Sequence, residues 1–130
     1  MPLSWRQLAS LLGPPGPVAP LVLSMPSPQV NDRRILLRAP QDLIISRVDA
    51  VLTGGTSPSV SFSLRHGADV SAAGTAATTD PITATSTTTG STSTSFQSPI
   101  FPAGHWLWLE VTAVSGSPAG LMVSLVLQSS

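Results

Sequence analysis

"IFPAGHWLWLEVTAVSG", Ile100 to Gly116, decides how the rest of the chain is read. Its branched and aromatic residues are those of a β-strand, and successive side chains of a strand point to opposite faces. Trp106 and Trp108 then share one face while Leu107 and Leu109 share the other, so both faces are apolar. A small sheet with one solvated face has no need of that. Something must cover the second face: another part of the chain, another copy of it, or a ligand.

Outward from this stretch the period is two. "SVSFSLRH" puts Val60, Phe62 and Leu64 on one face and Ser59, Ser61 and Ser63 on the other, the pattern of a half-buried strand. "DLIISRVDAVLTGG" sets Ile44, Val48, Ala50 and Leu52 together, and Gly54-Gly55 with Pro58 reads as the turn of a hairpin into the next strand. "GLMVSLVLQ" aligns Leu121, Val123, Leu125 and Leu127, and "SGSPAG" joins it to the tryptophan strand. "RILLRA", a Thr-rich "ITATSTTTG" and a short strand in "TSFQSPIF" bring the expected total to six or seven. "GADVSAAGTAATTDP" is too rich in small residues for a core strand and reads as a long loop. The expected fold is all-β, an antiparallel β-sandwich over residues 35–130, with the jelly roll among the arrangements it admits.

Residues 1–34 are organised differently, with seven of the thirteen prolines in the first thirty positions. "LSWRQLASLLG" predicts a short helix over 4–12: Ser4 and Gln7 are spaced as a capping box, Leu3 and Leu8 as a hydrophobic staple, and Gly13 with Pro14 ends it. Trp5, Leu8, Leu11 and Leu12 share one stripe of that helix. A helix below about 12 residues does not hold in water by itself, so the stripe is the expected anchor onto another surface. The following "GPPGPVAPLVLSMPSP" is extended, because proline fixes φ and removes donors. With Arg6 as the single early charge and Pro14, Pro15 and Pro17 interrupting the apolar run, a secretory signal is not expected.

Composition removes whole classes of function. Charged residues make up 9% and the net charge is zero, leaving little counterion release to drive nucleic-acid binding. No apolar run approaches the roughly 18 residues of a membrane-spanning helix, so neither nucleic acid nor membrane is an expected partner. There is no cysteine, and hence no disulfide scaffold or thiolate metal site. The acids Asp32, Asp42, Asp49, Asp69, Asp80 and Glu110 show no spacing that suggests a catalytic pair. His66, Asp69 and His105 could hold a metal only if folding brought them together. No serine stands in a strand-to-helix elbow and no glycine-rich loop precedes a helix. The expectation is a protein that is not an enzyme, with no catalytic residue, metal or cofactor.

"FSLRHGADVSAAGT", then "TSTTTG", then "IFPAGHWLWLEVTAVSG" resemble the β-rich C-terminal domain of small structural proteins of tailed bacteriophages, known as decoration, head-fibre or tail-fibre proteins. The similarity covers about residues 45 to 128. It implies a virion structural protein at the particle surface, assembled in the host cytoplasm. A capsid decoration, cement or head-fibre role is the first expectation. The implied partners are a major capsid or other virion protein and the chain itself as a homotrimer. Collagen-like repeats that often precede this domain are reduced here to "GPPGPV", Gly13 to Val18. In this reading Trp5, Leu8, Leu11 and Leu12 anchor the particle, and Trp106 and Trp108 form the self-association interface. The alternative is a tail-fibre or receptor-binding module whose tryptophans stack on host surface carbohydrate.

Overall fold

The computed structural model describes residues 17–129, with side chains from residue 21. The described residues contain ten strands and no helix: β1 (Pro17–Pro26), β2 (Arg33–Arg38), β3 (Leu43–Thr53), β4 (Ser59–Gly67), β5 (Thr75–Ala76), β6 (Ile82–Ala84), β7 (Ser91–Ser93), β8 (Ile100–Phe101), β9 (Trp106–Ser115) and β10 (Gly120–Ser129). They form two five-stranded sheets with every pairing antiparallel. The first sheet runs β1-β10-β3-β7, with β8 also on β3. The second runs β2-β9-β4-β5, with β6 also on β4. The expected all-β class is what the described residues adopt. The helix over 4–12, with Trp5, Leu8, Leu11 and Leu12, lies outside the described residues.

One apolar cluster draws on both sheets, with Val48, Leu52, Leu121 and Leu125 from the first and Val60, Phe62, Leu107 and Leu109 from the second. The period-two patterns of β4, β9 and β10 place these residues as the sequence indicates. β3 departs from its pattern. Across β10, Val126 pairs with Arg47 but Leu127 with Ile45, so Ser46 is an extra residue, and its hydroxyl donates to the Val126 carbonyl at 3.0 Å. A bulge of this kind exchanges the faces beyond it. Ile45 therefore enters the core and Ile44 does not.

The turn expected to make a hairpin of β3 and β4 instead carries the chain from one sheet to the other. The β9–β10 connection does the same, as does β1–β2. Each of the three arches holds a serine at positive φ followed by a buried proline: Ser27 (44°) and Pro28, Ser57 (45°) and Pro58, Ser117 (50°) and Pro118. They are bonded to one another at a single pole. Thr56 N–H donates to Gly116 O at 2.9 Å, Ser27 N–H to Ala119 O at 2.8 Å, and Ala119 N–H to Thr53 O at 2.7 Å. A flat hairpin turn would keep both strands in one sheet; these links of six, five and four residues span the core because each stacks on the next.

β1 also corrects the expected domain boundary. The proline-rich segment is extended, as read, but from Pro17 it is a strand of the first sheet, paired from Pro17 with Gln128 to Pro26 with Gly120. It occupies an edge, where a proline without N–H breaks no second ladder. Pro17 and Val18, the last third of the "GPPGPV" run, thus belong to the β-domain.

Candidate functional site

The outer face of the second sheet carries the residues the opening stretch singled out. Across β2, β9 and β4 the facing rows are Arg38–Trp106–Gly67, Ile35–Trp108–Arg65 and Arg33–Glu110–Ser63. Leu107, Leu109 and Val111 point the other way, into the core. Trp106 and Trp108 do share the outer face. They differ in cover.

Trp108 has no exposed surface, although it stands outside the inter-sheet cluster. What encloses it is the loop between β4 and β5. A Cβ built on Gly74 would lie 2.6 Å from the Cη2 atom of Trp108, and one on Gly67 would lie 3.5 Å from it. Two arginines hold the loop down: Arg33 donates through Nη2 to Val70 O at 2.7 Å and Arg65 through Nη1 to Ala73 O at 3.2 Å. Glu110 forms an ion pair with both, its carboxylate oxygens 3.3 Å from Arg33 Nε and 3.2 Å from Arg65 Nε. The Arg33 guanidinium also lies over the Trp108 ring, 5.0 Å from its centroid. Inside the loop, Asp69 Oδ1 accepts from the Ser71 N–H and hydroxyl at 2.8 and 2.7 Å, bonds that hold its carboxyl below the usual range. The sequence alone left the loop without a role. Its role is to roof an indole, and its small residues are what the ring leaves room for.

Trp108 therefore has no surface to offer a second copy, and its placement in a self-association interface is corrected: the same chain covers it. Trp106 stays half-buried at the end of β9, with the Arg38 guanidinium 5.7 Å from its ring centroid and Ile35, 50% exposed, on the same strand as Arg38.

His66 and His105 do come together. His66 is nearly buried at the end of β4, stacked on Phe101 at 5.6 Å. Its Nε2 lies 3.1 Å from the Ser98 carbonyl and its Nδ1 lies 3.4 Å from Nδ1 of His105. A carbonyl only accepts, so Nε2–H donates, Nδ1 of the neutral ring accepts, and His105 supplies the other proton. Burial lowers the His66 pKa, and the charge of His105 lowers it further against the opposing pull of Ser98 O. Asp69 is engaged with Ser71 rather than with these rings. Among the described residues no group of three or more His, Asp or Glu is placed to hold a metal ion, and no helix is long and apolar enough to cross a membrane.

The outer face of the first sheet holds a groove of about 500 Å3 with Val22, Val51 and Met122 among its lining. Asp49 stands at its side, bonded to Arg47 Nε at 2.9 Å and to the Thr92 hydroxyl at 2.6 Å. No family model, curated protein or solved structure matches the chain.

Proposed function

We propose that this chain is a non-enzymatic virion structural protein of a tailed bacteriophage. In this reading it is a decoration, cement or head-fibre subunit built on a jelly-roll sandwich and fastened to the particle by the segment before Pro17. The observation that carries the reading is the strand order. β1-β10-β3-β7 against β2-β9-β4, with β5 and β6 both beyond β4, is the alternation that two interlocked Greek keys generate, an architecture used in capsids and lectins alike. The ionisable groups support a structural role in a second way: Glu110, Arg33 and Arg65 tie down a loop, and His66 and His105 tie one end of β4 to the start of β9.

The mechanism is mass action. A subunit that binds only the assembled lattice stabilises it by its binding free energy, and repetition over the particle multiplies the effect. Trp5, Leu8, Leu11 and Leu12 supply the anchor, and the oligomer places several anchors on neighbouring capsid subunits at once. Because β1 is part of the first sheet, the deletion that tests the anchor is residues 1–16 and no more. The expected result is a folded β-domain that no longer sediments with undecorated particles. Full occupancy by the truncated protein would refute the anchor.

A second reading has one observation in its favour, the half-buried Trp106 with Arg38 and exposed Ile35 beside it. It makes this corner a carbohydrate-binding surface of a tail-fibre or receptor-binding module, with a sugar ring against the indole edge. Saturable quenching of tryptophan fluorescence by host polysaccharide, lost in Trp106→Ala, is its signature.

A further inference from the structure

The outer edges of the two sheets are guarded unequally. β5, β6, β7 and β8 are two or three residues long, too short to template another strand. β2 carries Arg33, Arg34 and Arg38 in six residues, which repels a second copy of itself. β1 runs for ten residues without a charge, and among the described residues β10 alone pairs with it. Pro20 and Pro26 stand three positions either side of Leu23, so no residue from Leu21 to Met25 lacks an N–H, and alternate residues of that window turn theirs to the open edge. The side chains in that window are incompletely covered: Leu21 and Leu23 pack against the core while only partly buried, and Val22 is 62% exposed.

We propose that β1 is the self-association edge, pairing antiparallel with β1 of a second copy about a two-fold axis at Leu23. This rests on the self-association reading and moves it from the tryptophan face to the opposite sheet. In this register Leu21 faces the partner's Met25 and Val22 faces the partner's Ser24. Pro20 falls opposite the partner's Pro26, so pairing stops at both ends where donors are missing. The contact is isologous and closed, as a two-fold requires. It joins two five-stranded sheets through their backbones and covers Leu21, Leu23 and Val22 from the side that β10 cannot reach. Backbone bonds over five residues give a weak dimer, populated at the high local concentration of a shared lattice.

The chain has no cysteine, so one introduced thiol reports the geometry. Directly opposed Cα atoms of an antiparallel pair are about 4.5 to 5.5 Å apart, within the roughly 4.4 to 6.8 Å that a disulfide spans. Full-length protein at high micromolar concentration is expected to scatter light as twice 13.4 kDa. Leu23→Cys is expected to oxidise to a covalent dimer while Ala113→Cys, on the second sheet, forms no crosslink. Val22→Lys, at an exposed site, should weaken the dimer about tenfold or more without changing the melting temperature. An oligomer that ignores Val22→Lys and leaves the Leu23→Cys thiol free overturns the β1 assignment alone. A monomer at every concentration, with no crosslink, overturns the self-association reading as well.

Discussion

A methyl group at position 74 has nowhere to go. Gly74 holds φ at +68°, and a Cβ there would press on the Trp108 ring at 2.6 Å and on the His66 carbonyl at 2.8 Å. Gly74→Ala is therefore expected to lift the loop from the indole at a cost of about 1–3 kcal/mol. The measurement is a urea midpoint read beside the emission maximum, which should move to the red as water reaches Trp108. His66 gives a second prediction at this scale. Its ring is held neutral in the fold, with a pKa below its ordinary value of 6.5, so the unfolded chain takes up the proton first. Stability is then complete above about pH 6.5, falls as the pH drops below it, and levels off once the lowered native value is passed. Chemical denaturation at a series of pH values should show this slope in the wild type and a flatter one in His66→Gln. An equal slope in both would place the dependence elsewhere.

The arches act as elements. Gly55 and Gly116 sit at φ +85° and +75° with each other's arch against them: an added Cβ would meet Gly116 O at 2.5 Å in the first case and Thr56 O at 2.5 Å in the second. Both obstacles are backbone and cannot rotate away. Gly55→Ala and Gly116→Ala should each destabilise by about 2–4 kcal/mol, and the double variant by clearly less than the sum, because either one alone separates the same pair of loops. Denaturation of the four proteins measures the coupling. These links also mark where the sequence stops being legible. Gly54-Gly55 before a strand reads equally well as a hairpin or as an arch, since both need positive φ and a short loop. The three Ser-Pro pairs were the available signal. Ile44 for Ile45 is a similar case, because nothing in "LIISRV" announces that Ser46 is the residue left out of the ladder.

At the scale of the molecule, the patterns of β4, β9 and β10 carried the all-β class and most of the core, since a strand buried on one side shows its period directly. The question posed by two apolar faces on β9 was legible. Its answer was not, because the cover comes from a loop some forty residues earlier whose small residues have no period to read. Glycines at both ends of that loop, Gly67 and Gly74, were the trace it left. The prolines hide β1 for the opposite reason: they exclude a helix, which the sequence makes plain, but a sheet edge tolerates them, which it does not. Pairing of Pro17 with Gln128 has one more result. The two ends of the described chain leave the domain about one strand spacing apart, at the pole opposite the stacked arches. Anything tethered through either end is held by the same side of the two-sheet body, and the arches face outward like the head of a nail. Peptides grafted at Thr56 or Ser117 would be displayed there, clear of the surface the tether holds.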